Sequence, residues 1–79
     1  MVTFTIDDLQ AIARDVIGDC DIVLTQNMTA ADVPGWDSLN HTLVSIEISA
    51  LIGHEVDAQE LAQALTFGDL VDHVTRTGK

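Results

Sequence analysis

The sequence predicts an all-α fold, a four-helix bundle with a long first loop and a short third helix. Three observations predict it. Apolar residues recur at helical spacing in several segments, and no alternating strand pattern of useful length or internal repeat competes with them. Gly18 and Gly53 each follow such a segment where a helix would stop. A single proline, five glycines and a 47% hydrophobic composition favour long folded segments over disorder.

The first helix is expected over residues 5–17. Thr5 and Asp8 have capping-box spacing, with Asp in place of the usual Glu. Leu9, Ile12, Ala13, Val16 and Ile17 then recur at i, i+3 and i+4, and Phe4 precedes them. Residues 18–37 form a long connection. It carries Ile22, Val23, Leu24, Met28, Val33 and Trp36, so an ordered loop pinned to the core is expected, with a short turn at 29–32. Pro34-Gly35 marks a turn before the second helix.

That second helix is expected over residues 38–52. Val44, Ile48, Leu51 and Ile52 form one apolar stripe, and Leu39, Leu43, Ile46 and Ala50 form another. A helix apolar on two sides is either deeply enclosed or keeps one stripe for a partner. The third helix fits 58–65, with Asp57 as N-cap and Leu61, Ala64 and Leu65 inward. The fourth fits 67–75, started by Thr66 and Asp69 at capping-box spacing, with Leu70, Val71 and Val74 inward and residues 75–79 frayed.

Seventy-nine residues suit one domain, taken as residues 1–79. Such a chain buries only ~60% of its unfolded surface, so its core is thin. Thirteen Asp and Glu stand against three Lys and Arg, and eleven of the acids lie between Arg14 and Arg76, where no basic residue occurs. This excludes nucleic acid and anionic membrane surfaces as partners. It suits proteins with basic patches, although solubility alone also explains it. Cys20 is the sole cysteine, so no internal disulfide forms, and a reducing cytoplasm is expected. No basic n-region with an apolar stretch behind it and no apolar run of ~20 residues occurs, so neither a secretory signal nor a membrane span is expected. A monomer is expected.

Trp36-Asp37-Ser38-Leu39 lies where the long loop meets the second helix. A helix start offers unpaired N–H groups and partial positive charge, which suit a phosphate. Taken locally, Asp37 or Ser38 is an ordinary N-cap. The wider context is more specific. Gly35-Trp-Asp-Ser-Leu39 resembles the Asp-Ser-Leu motif of acyl carrier proteins. The likeness continues through the second helix, through Val56-Asp57 before the third, and through Thr66-Phe67-Gly68-Asp69-Leu70 at the fourth. It spans residues 4–75.

The resemblance implies a carrier rather than an enzyme. Ser38 would receive 4′-phosphopantetheine from coenzyme A through a phosphopantetheinyl transferase and Mg²⁺. The arm's thiol would hold acyl intermediates as thioesters for acyl-loading and acyl-processing enzymes. Asp37 would help to hold the transferase's metal, and Leu39 would be buried against partners. No resident metal is implied.

Departures from the family narrow the pathway. Fatty-acid-synthesis carriers present a row of acids on helix II, whereas these positions are Asn40, Leu43, Ser49 and Ala50 here. Glu47 is the helix's one acid, where the family commonly has a small residue. The glycine-glycine-x-serine pattern of peptidyl carriers is also absent. Trp36 with Asn40-His41 is similar to discrete carriers of polyketide-like or other specialised acyl pathways. Partners are expected to dock partly on Leu39, Leu43 and Ile46, unless the short third helix and the long first loop cover that stripe.

Alternatives remain: a peptidyl or aminoacyl carrier, or a small acidic interaction module without a prosthetic group. A hydrolase is remote. His41 lies one helical turn after Ser38, but a Ser–His pair needs an oxyanion hole and an orienting third group. His41 is expected to face solvent, and Trp36 to anchor the loop in the core. Cys20, His41, His54 and His73 lack metal-ligand spacing.

Overall fold

The first helix begins where Thr5 and Asp8 cap each other. Asp8 Oδ2 accepts the Thr5 N–H at 3.0 Å, and Thr5 Oγ1 accepts the Asp8 N–H at 3.3 Å. In the computed structural model, which describes residues 3–77, α1 therefore spans Ile6–Ile17, with Thr5 as its cap. A 3₁₀ turn at Ala30–Asp32 follows, then α2 (Ser38–Ile52), α3 (Ala58–Ala62) and α4 (Phe67–Thr77). No strand occurs among the described residues. α1 packs against α2 and α4, and α3 against α2. Leu9, Val44, Ile48, Leu61, Phe67 and Val74 are the largest fully buried side chains.

Loop I, residues 18–37, is ordered because both its side chains and its backbone are engaged. Ile22, Leu24 and Val33 are buried. Val23 is exposed instead, since adjacent residues of an extended segment point to opposite sides. The polar side of α1 reaches across to this strand-like piece. Arg14 Nε donates to the Ile22 carbonyl at 2.7 Å, and Gln10 Oε1 accepts the Leu24 N–H at 2.9 Å. The first amides of α4, which have no acceptor within their own helix, donate to loop I as well. Phe67 N–H bonds the Met28 carbonyl at 2.9 Å, and Gly68 N–H bonds that of Gln26 at 3.0 Å.

Three expectations of position are corrected. α3 stops at Ala62 rather than at residue 65. Gln63 N–H and Ala64 N–H turn back to the Glu60 and Leu61 carbonyls in i→i−3 bonds, which tighten the last turn. The chain must then leave helical geometry so that Thr66 Oγ1 can cap α4 by accepting the Asp69 N–H at 3.2 Å. Leu65 lies in that transition and is exposed, not inward. On α2, whose stripes carried no expectation of which side is inward, Leu51 is exposed at the flank of the core face defined by Val44 and Ile48. Finally, α4 runs on to Thr77, so residues 75–77 are helical rather than frayed, with Arg76 favourably placed against the negative end of the helix dipole. The expected fraying of residues 78 and 79 lies outside the described residues.

Candidate functional site

Val33-Pro34-Gly35-Trp36 turns the chain into α2. Trp36 N–H bonds the Val33 carbonyl at 3.2 Å, and Gly35 takes φ +89°. Asp37 is extended and caps α2, its carboxylate accepting the Asn40 N–H at 2.8 Å. The Asn40 side-chain amide donates back to the Gly35 carbonyl at 2.6 Å and closes the turn onto the helix.

Ser38 is the first residue of α2, and it is exposed. Asp37 takes the Asn40 and His41 amides, through its side chain and its carbonyl. The Ser38 and Leu39 amides precede the intrahelical ladder and stay available. An anion joined to the Ser38 hydroxyl would therefore meet two donors and the positive end of the helix. No hydrogen bond among the described residues engages that hydroxyl.

An open groove of about 650 Å³ runs beside Ser38. Ser38 and His41 line it from α2, Ala58 and Leu61 from α3, Phe67 and Leu70 from α4, and Trp36 from loop I. Exposed Leu65 forms part of its rim. Trp36 is half-buried, its ring tilted 43° to the Phe67 ring with centroids 4.9 Å apart. It thus anchors the loop as expected and also shapes the groove.

His41 differs from its expected place in solvent. It is half-buried, on the core side of α2 with Val44 and Ile48. Its Nε2 lies 2.9 Å from the Ala58 carbonyl, and its Nδ1 lies 3.4 Å from Trp36 Nε1. A carbonyl only accepts and an indole N–H only donates. The neutral ring protonated at Nε2 satisfies both contacts. With both nitrogens committed, His41 has no free base to offer Ser38, which removes the Ser–His hydrolase arrangement. The helical offsets 41, 44 and 48 were the sequence signal for this placement.

Leu39, Leu43 and Ile46 are 68%, 40% and 59% exposed. Neither α3 nor loop I covers this stripe. It lies opposite the face that carries Val44 and Ile48. Ser49 points elsewhere. Its hydroxyl accepts the Val56 N–H at 2.9 Å and donates to the Ser45 carbonyl at 3.0 Å.

The remaining candidates stay apart. Cys20 is a free, exposed thiol. His73 pairs with Glu60 at 3.3 Å between α4 and α3. No group of three or more His, Cys, Asp or Glu among the described residues is placed to hold a metal. No helix of the described residues is long and apolar enough to cross a membrane.

Among the described residues, four α-helices carry an exposed serine at the start of the second, with an apolar groove beside it. No family model and no curated protein sequence matches the chain. A solved structure does. It is the solution NMR structure of a holo acyl carrier protein from Geobacter metallireducens, 35% identical, with a TM-score of 0.78 over 91% of this chain and 83% of that one. The chain belongs to the acyl carrier protein family, and it is a carrier rather than an enzyme.

Proposed function

We propose that Ser38 bears a 4′-phosphopantetheine arm and that the protein carries acyl intermediates on it for a polyketide-like or other specialised pathway. The observation that carries this reading is the exposed Ser38 hydroxyl at a helix start with two uncommitted amides. The solved relative is described as the holo form, which fits. When bound, the arm supplies a flexible thiol that holds an acyl group as a thioester. The chain's own residues do the rest. The amides of Ser38 and Leu39 stabilise a phosphate, Asp37 fixes the helix start, and Trp36, Leu61 and Phe67 offer an apolar bed alongside.

Asp37, Leu39, Leu43 and Ile46 form the face offered to the transferase and to acyl-loading and acyl-processing enzymes. Its centre is apolar and its surroundings are acidic, so partners with an apolar patch and a basic rim suit it. The specialised pathway is favoured because α2 lacks an acidic row. Ser49, at one of those positions, is spent on the Val56 amide instead. The reading places the protein in the cytoplasm, as a monomer.

The test is incubation with coenzyme A, Mg²⁺ and broad-specificity phosphopantetheinyl transferases. Intact mass should rise by one phosphopantetheinyl group, and Ser38→Ala should abolish the rise. A folded wild-type chain left unmodified by several transferases would overturn the carrier-arm reading in favour of an acidic interaction module.

A further inference from the structure

The groove beside Ser38 has walls from α2, α3, α4 and loop I, and one side chain touches two of the other walls from the α2 side. His41 reaches the Ala58 carbonyl at the start of α3 and the Trp36 indole N–H in loop I. We propose that His41 is a positioning residue for the prosthetic arm, tying α3 and Trp36 to α2 so that the groove beside Ser38 keeps one shape. The inference rests on Ser38 bearing the arm.

The need for such a tie follows from the elements themselves. α3 has five residues, too few to be stable without tertiary contacts. Leu61 anchors it in the core without fixing a direction, and the directional contacts beyond His41 lie at its entry, Val56 N–H to Ser49 Oγ, and on its exposed side, Glu60 to His73 of α4. The bond from His41 Nε2 to Ala58 fixes the groove-side start of α3 against α2. Trp36 is in a similar position. Its ring rests tilted on Phe67, and that apolar contact alone permits the indole to slide or turn. The contact at Nδ1 selects the orientation with the indole N–H toward α2.

The chemistry of the ring makes the two ties one device. The proton that bonds Ala58 must be on Nε2, which leaves Nδ1 bare for Trp36. A leucine would fill the same half-buried volume and keep neither tie. Glutamine places a donor near Nε2, and asparagine places an acceptor near Nδ1. The three substitutions therefore separate packing, the α3 tie and the Trp36 tie. No hydrogen bond among the described residues joins His41 to the Ser38 hydroxyl, so its role is indirect.

The experiment uses a Cys20→Ser background, because Cys20 is exposed and would react beside the arm's thiol. Holo-protein is prepared with coenzyme A and a transferase, and its thiol is alkylated with iodoacetamide against free pantetheine. The His41 protein should react more slowly than pantetheine. His41→Leu should react about three- to tenfold faster than the His41 protein, the shift that losing a hydrogen bond of ordinary net strength produces. His41→Gln and His41→Asn should fall between. Equal rates in a folded His41→Leu protein, or a His41 protein as reactive as pantetheine, would overturn the inference while the Ser38 mass gain left the carrier function standing. Failure of Ser38 to gain mass removes the proposed function and this inference with it, and it is read before any alkylation.

A second measurement needs no variant. Nitrogen NMR of the unmodified wild-type chain should show the neutral form of the His41 ring protonated at Nε2 and bare at Nδ1. A ring protonated at Nδ1 alone, or one averaging between tautomers, would overturn the tie.

Discussion

The Ser49 hydroxyl holds the end of α2 and the segment that follows it in one register, because it both donates to Ser45 and accepts from Val56. Ser49→Ala removes the acceptor and leaves a part-buried amide unpaired. The expected loss is about 1–2 kcal/mol, the cost of such an orphaned donor. Urea unfolding should show a lower midpoint at unchanged slope. An unchanged midpoint would mean that water replaces the hydroxyl. Gly35 is a sharper case. Its φ is +89°, and a Cβ there would stand 3.0 Å from Ile17 Cγ2. Gly53 also has positive φ, but nothing lies within 4 Å of its Cβ position. Gly35→Ala should therefore cost more than Gly53→Ala, about 1–3 kcal/mol for strain of this kind. Thermal melts compare them directly, at roughly 4–8 °C per kcal/mol for a small domain. Equal melting temperatures would show that the Ile17 contact yields freely.

At the scale of the helix, α2 offers an internal control. Ile46 and Ile48 are two residues apart and identical in chemistry, yet one is 59% exposed and the other fully buried. Ile48→Ala should cost about 2–5 kcal/mol through lost transfer energy and a cavity. Ile46→Ala should stay within about 0.5 kcal/mol, as surface changes do. Leu43→Glu tests the same face functionally. It should weaken modification of Ser38 by the transferase while the melting temperature stays nearly constant, and a large stability loss would return Leu43 to the core. This element also marks the border of what the sequence disclosed. Periodicity found both stripes of α2 and the start of every helix through its caps. It did not say which stripe was inward, because a helix apolar on two sides carries no net direction. The same symmetry hid Leu51 and the inward placement of His41. The end of α3 was missed for another reason. Leu65 continues the helical pattern, but Thr66 must be non-helical to cap α4, and that tertiary demand outweighs local propensity. The placement of Ser38 at the start of α2 was legible from the segment around it. The ties around it were not, since Trp36, His41 and Ala58 meet only after folding.

At the scale of the whole molecule, charge and the apolar stripe should act on different rates. The net charge of −10 spreads a negative field around a body of 31 × 22 × 21 Å. Screening shortens the reach of that field from ~10 Å at about 0.1 M salt to ~3 Å at about 1 M. Encounter with a basic-patched transferase should then slow by on the order of tenfold over that range. Dissociation is governed by short-range contacts, and it should change little with salt. Ile46→Glu reverses the pattern. It places a charge in the apolar contact and should speed dissociation, while added negative charge leaves association as fast as before or faster. Stopped-flow association and dissociation rates, measured for both proteins across the salt series, resolve the two contributions. An association rate indifferent to salt would mean that the acidic surface serves solubility alone. A dissociation rate indifferent to Ile46→Glu would place the docking face somewhere other than the exposed stripe of α2.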